Sequence, residues 1–204
     1  MRYEGGVRYE VRDYRPSDEG SWLRCRVLSF LATAYFDNVL RRKPVMAPPG
    51  FSLVAVASDG SVAGALDVAV QGELATIETV AVHPDHQALG IGKALVDAAR
   101  SRAVAAGATT LDAWTRDDPA TLGWYAARGF AESEHYLHVF ADSSSREDEP
   151  EDAVLPRPGI RPVTVFAHAG LEFEEEARKA FSRVHVCRRF SQPIGAGGPD
   201  GRGS

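Results

Sequence analysis

The sequence predicts an α/β (α+β) fold, a mixed and mostly antiparallel sheet flanked by helices. Three observations carry this. Three β-prone runs between residues 51 and 82 are separated only by tight-turn signals, which makes them an antiparallel meander. A glycine-bearing loop then opens a helical pattern over 90–106. Beyond it, a strand pattern, a helix pattern and another strand pattern follow in turn.

Val7 to Tyr14 alternates and is β-prone, which predicts a first strand. Pro16-Ser17-Asp18-Glu19 is a helix start, with Ser17 as the cap and acids at the positive helix end. Leu23, Val27, Phe30 and Leu31 then recur at helical spacing as a buried stripe. Residues 35–50, with Pro44, Pro48, Pro49 and Gly50, read as a long loop or a short helix plus loop. Such a loop either shapes a binding site or simply fills.

Phe51 to Ala57 is the next strand. Asp59-Gly60 is a two-residue turn, since both residues tolerate positive φ. Val62 to Val70 returns, and Leu74 to Val82 completes the meander. In the helix over 90–106, Ile91, Ala94, Leu95 and Ala98 face the core, and Gly107 stops it. Thr109 to Thr115 is a strand. Asp118-Pro119 opens a further helix, with Asp as cap and Pro at the first position, ending at Gly129. Glu132 to Phe140 is another strand. The acidic, serine-rich stretch 142–160 reads as an exposed, flexible insertion. A short strand at 163–166, a helix over 171–181 with Phe173, Ala177 and Ala180 on one side, and a strand at 184–190 finish the fold. Residues 195–204 are a flexible tail, and 1–194 are expected to form one domain.

Composition excludes several classes. A net charge of -5 lacks the basic footprint of a nucleic-acid binder, and Arg41-Arg42-Lys43 reads as a solvated loop cluster. No apolar run is long enough to cross a bilayer, and the first residues lack the apolar core of a signal peptide. Cys25 and Cys187 fit no metal spacing, so no metal is expected and reduced thiols are the simple reading, with a disulfide as the other. A cytoplasmic protein is expected, with a homodimer compatible.

The informative stretch runs from Glu78 to Leu95 as strand, loop and helix, with Gln87-x-x-Gly90-x-Gly92 at the helix start. Helix-opening N–H groups lack intrahelical partners and, with the helix dipole, make an anion site. Glycines let a ligand approach the backbone. A P-loop needs a Gly-Lys-Ser/Thr ending, which is absent. A dinucleotide fingerprint needs a third glycine where Leu95 stands, and a parallel repeat.

With Val80-Ala81-Val82-His83-Pro84 ahead of it, this stretch resembles the acyl-CoA-binding motif of the GNAT superfamily, Arg/Gln-x-x-Gly-x-Gly/Ala. Downstream, Trp124-Tyr125-Ala126-Ala127-Arg128-Gly129-Phe130 resembles that superfamily's aromatic-Tyr-x-x-x-Gly-Phe helix ending. The resemblance covers most of residues 7–140 and implies a splayed sheet holding acyl-CoA where two strands diverge. It implies that backbone N–H groups of Gln87, Ala88, Leu89, Gly90, Ile91 and Gly92 hold a pyrophosphate, with Lys93 able to pair with phosphate. It implies that the backbone of Val80, Ala81 and Val82 meets pantetheine and the thioester. Ala88 departs from the Arg or Gly common in the family.

The implied reaction is acetyl transfer from acetyl-CoA to a primary amine, of a small molecule or a protein. Tyr125 matches the family's general acid, or else only packs. Glu78 shares a strand face with Val80 and Val82 by period two and is a candidate base, or else an exposed carboxylate. Asp118 stands where the family often has a pantetheine-contacting Asn, and is equally a helix cap. His83 and His86 read as surface residues of the loop, and Arg188 and Arg189 as strand-surface residues or contacts for an acidic acceptor. The alternative function is a non-catalytic acyl-CoA-sensing module of the same fold.

Overall fold

The structure, a computed structural model, describes residues 9–195. Positions 7 and 8 of the first predicted strand and 196–204 of the predicted tail lie outside them. The described chain divides into two compact units, one of residues 9–113, 126–131 and 191–195, the other of 114–125 and 132–190.

In the first unit, β1 (Tyr9–Asp13), β2 (Phe51–Ala57), β3 (Val62–Gln71) and β4 (Leu74–Val82) pair antiparallel in order, and β5 (Thr110–Arg116) joins β4 in parallel. Runs rich in Val, Ala and Leu favour a pleated surface covered on both faces, and β3 is buried along most of its length. Helix α1 (Glu19–Phe30) packs on β3 and β4, and α2 (Ile91–Ala105) packs on β3. Close approach of α2 requires a glycine at Gly64, where a Cβ would sit 2.5 Å from the Ile91 side chain.

The start of α1 differs from expectation. A 3-10 turn at Pro16–Asp18 precedes it, and Asp18, not Ser17, takes the orphan amide of Arg15 at 2.8 Å while its carboxylate pairs with Arg12. The buried face is also different. Trp22, Cys25 and Arg26 are inside and pack with Val54, Val62 and Ala65, whereas Leu31 is exposed. The hydrophobic stripe misled because the largest apolar residue, Trp22, lies one position off it. The β2–β3 connection takes four residues, with positive φ at Gly60 alone and the Asp59 carboxylate accepting the Ser61 amide. In α2 the inward residues are Ile91, Leu95, Val96, Ala99 and Ala103, with Ala94 and Ala98 half-buried.

Lys43 corrects the reading of a solvated basic cluster. Its ammonium is buried 2.8 Å from Asp67, donates to Ser52 Oγ at 2.7 Å and lies 4.7 Å above the Tyr14 ring. Burial of a charge requires such partners, and a lone aspartate inside the apolar β3 run was the available signal.

In the second unit, β6 (Ala131–Asp142) lies between β8 (Arg183–Pro193) and β7 (Thr164–Ala169), antiparallel to β7. Helix α3 (Pro119–Ala126) follows β5, and α5 (Glu174–Ala180) covers a core of Leu137, Val139, Val184 and Val186. Ala177 points inward there, while Phe173 and Ala180 are exposed, because a 3-10 turn at Leu171–Phe173 shifts the helical phase. The expected exposed insertion contains α4 (Glu149–Asp152), and its Glu149 is buried against three donors. Among the described residues no helix is long and apolar enough to cross a membrane.

Candidate active site

The loop between β4 and α2 begins with a 3-10 turn, Pro84–His86, in which His83 Nδ1 accepts the Asp85 amide. That bond places the ring's proton on Nε2 and makes His83 a turn cap. The chain then reverses through two left-handed residues, Ala88 at φ 61 and Gly90 at φ 79. Two such residues one apart turn successive amides to one side, as in an anion-binding nest. The first backbone bond of α2 runs from the Ala94 amide to the Gly90 carbonyl at 3.0 Å. The amides from Ala88 to Lys93 donate to no protein group among the described residues. These six exposed or helix-opening N–H groups at a helix N-terminus fit a diphosphate without further charge.

The side chains around the nest do other work. Gln87 donates back to the Val82 carbonyl at 3.4 Å and so ties the loop to the strand end. Lys93 is paired with Asp97 at 2.6 Å, one turn along α2, and its neighbourhood holds the Asp97 carboxyl below the usual range. Leu89 is exposed on the loop's tip.

Strand β4 leads into this loop. Its ladder with β5 runs from Leu74↔Thr110 to Ile77↔Ala113 and stops there, while its ladder with β3 continues to Gly64↔Val82. Val80, Ala81 and Val82 are therefore held on the β3 side alone. The β3–β4 ladder also shifts: Asp67 pairs with Thr79 and Val68 with Ile77, so Glu78 is an extra, bulged residue. Burial still alternates through the bulge, with Ile77, Thr79 and Ala81 buried and Glu78, Val80 and Val82 on the more exposed side.

Glu78 lies at the wall of an open groove of about 360 Å³, lined with Arg26, Asn38, Leu40, Met46 and Asp67. Partial burial, reinforced by the carboxylates of Asp112 and Asp67, raises the Glu78 pKa above the usual range. The groove's other side comes from the predicted loop 35–50. Arg26 fixes that loop by donating to the Asn38 carbonyl at 2.6 Å and to its Oδ1 at 3.1 Å, with Phe30 beneath the guanidinium. Neither Arg26 nor Asp67 had a motif to reveal it; both are charges that tertiary packing buries.

Tyr125 and Asp118 belong to the second unit. Tyr125 is buried on α3, edge-on to Trp124 and stacked on Phe190 at 5.5 Å. Asp118 caps α3: its carboxylate accepts the Ala120 amide and the Thr121 hydroxyl, both at 3.0 Å. Arg188 and Arg189 pair with Glu132 and Glu134 on β6. Cys25 and Cys187 are both free and buried, and burial pushes the Cys25 thiol up to about 11. Among the described residues no group of acids, histidines and cysteines is placed to hold a metal.

A family model described as the Acetyltransferase (GNAT) family matches residues 10–130. No curated protein matches the chain. Solved structures similar to it include the ribosomal-protein-S18-alanine N-acetyltransferase from Escherichia coli, at 15% identity and TM-score 0.57 over 95% of this chain and 98% of that one. Nourseothricin acetyltransferase is similar at 21% identity and TM-score 0.54, over 91% and 98%. A Bacillus subtilis acetyltransferase in complex with CoA is similar at 18% identity and TM-score 0.50, over 92% and 99%. At these identities the structural likeness concerns the fold, a mixed and mostly antiparallel sheet flanked by helices. The chain belongs to the acetyltransferase (GNAT) family and is an acetyl-CoA-dependent N-acetyltransferase.

Proposed function

We propose that the protein acetylates a primary amine of an acceptor that enters the groove beside Glu78, by direct attack in a ternary complex with acetyl-CoA. The observation that carries this is the run of unpartnered amides from Ala88 to Lys93, bent by Ala88 and Gly90. In this reading those amides take the CoA pyrophosphate, and the backbone of Val80 to Val82 takes pantetheine. That strand positioning brings the thioester to the Glu78 end of β4, because a strand advances about 3.3 Å per residue.

Acetyl-CoA supplies an activated carbonyl. The acceptor arrives mostly as an ammonium and must lose a proton to attack. Glu78, with its raised pKa, takes that proton directly or through water. A C–N bond forms and the C–S bond breaks, and the departing thiolate takes a proton from Tyr125 by its match to the family tyrosine. Asp118 is engaged as a helix cap through its carboxylate, and its amide and carbonyl bond Arg116 and Leu122, so in this reading it has no leading part in holding the cofactor. Two structural neighbours are described by a ribosomal-protein alanine and by nourseothricin, so protein and small-molecule amines both belong in the acceptor panel. A cytoplasmic site suits two buried reduced thiols.

Calorimetric titration with CoA tests the nest. Gly90→Ala imposes the strain of a side chain at φ 79; Gly90→Glu adds a carboxylate against phosphate. Affinity should fall much further in Gly90→Glu than in Gly90→Ala. Equal affinities in the two variants would remove the nest as the pyrophosphate site.

A further inference from the structure

Each unit has an edge strand, β1 in the first and β7 in the second, and the two are built differently. β1 carries Glu10, Arg12 and Asp13. Charges on an edge oppose pairing with another chain. β7 reads Thr164-Val165-Phe166-Ala167-His168-Ala169, with no acid, lysine, arginine, proline or glycine. Its inner side pairs with β6 from Asp142↔Thr164 to Leu137↔Ala169; its outer side meets no strand among the described residues. Phe166 is 51% exposed, and the approach to the strand adds Ile160 at 67% and Val163 at 63%. A monomer leaves this uncharged edge and its apolar rim in water.

We propose that β7 is a homodimer interface, on which the same strand of a second copy adds antiparallel about a two-fold axis normal to the sheet. Antiparallel addition continues the sense of the β6–β7 pair. A two-fold axis sets residues near it against their own images, so a charge there would meet a like charge. β7 has none, which favours a copy of itself over a partner with a charged strand. Side chains opposite one another must lie on the same face, so the axis passes midway between a residue and its own image. Centred on Phe166, it sets Phe166 against the partner's Phe166 and Thr164 against the partner's His168.

That register extends a stack already present. Phe140 and Phe166 stack across β6 and β7 at 4.7 Å, and His138 and His168 do so at 4.9 Å with their planes 9° apart. Aromatic cross-strand pairs stabilise a sheet beyond its backbone bonds. Six residues span only about 20 Å, so the strand alone falls short of the roughly 1,600 Å² of a standard interface. Ile160 and Val163 must therefore contribute to the contact.

Sedimentation velocity over a wide concentration range tests this on the full chain. Wild type should pass from monomer to dimer, and Phe166→Lys, which sets two ammonium groups beside the axis, should stay monomeric with unchanged circular dichroism and CoA affinity. Hydrogen exchange on wild type supplies the second reading: the β7 amides should gain protection as concentration rises. A wild-type monomer throughout, a dimer that persists in a folded Phe166→Lys, or β7 exchange independent of concentration would each overturn the proposal. None of these readings depends on turnover.

Discussion

Glu78 occupies the one position where β4 has a residue more than β3, beside two carboxylates that oppose its ionisation. A base with a raised pKa is protonated over more of the acidic range. The rate should therefore fall as pH drops through that raised value, on kcat/KM. Glu78→Gln should cost roughly a hundredfold in kcat/KM and flatten the acidic limb. An unaltered pH profile in a slower variant would assign Glu78 to positioning. Tyr125→Phe separates a different step: kcat should drop while the CoA dissociation constant stays put. Equal turnover in the two proteins would leave Tyr125 as the packing residue that its contacts with Trp124 and Phe190 also describe.

Helix α4 gives the element scale its sharpest case. Three serines and five acids between residues 143 and 152 read as solvated, yet Glu149 is 1% exposed. Burial pushes its pKa up, but the amides of Asp142 and Ser182 and the Ser182 hydroxyl outweigh that and hold it below the usual range. Glu149→Ala would orphan two amides, at about 1–3 kcal/mol each. The expected result is a lower melting temperature and faster proteolytic cleavage within 143–160; unchanged melting would mean that water replaces the carboxylate. The same contrast explains what the sequence could reveal. β2, the turn at Gly60, β4 and the nest were legible because β-prone runs, turn-forming glycines and unpartnered helix-opening amides are local properties. The burial of Glu149, Lys43 and Asp67, the bulge at Glu78 and the inward face of α1 depend on residues distant in sequence. No window over one element contains them.

Over the whole molecule, the charged groups divide acid sensitivity into two stages. Asp18, held down chiefly by its bond to Arg12, adds stability above pH 3.8 that disappears as pH falls through its lowered folded value. His138 acts earlier and with the same sign. It is buried on β6, its Nδ1 accepts from Arg116 Nε at 3.1 Å, and its Nε2 lies 3.1 Å from the Tyr136 hydroxyl. An arginine cannot accept, so Nδ1 is bare and the ring neutral. Burial, with the nearby charge of Arg116, pushes its pKa down from 6.5 to about 4. Between those values the unfolded chain binds a proton that the folded chain refuses, so stability falls as pH drops from about 6.5 to about 4, by as much as about 3 kcal/mol. His138→Gln keeps an acceptor for Arg116 and a donor for Tyr136 but cannot titrate. Urea unfolding at pH 7 and pH 4 should show wild type losing more stability than His138→Gln over that interval. Identical losses would mean that His138 takes its proton in the folded protein as easily as in the unfolded one, and the neutral ring between Arg116 and Tyr136 would have to be abandoned.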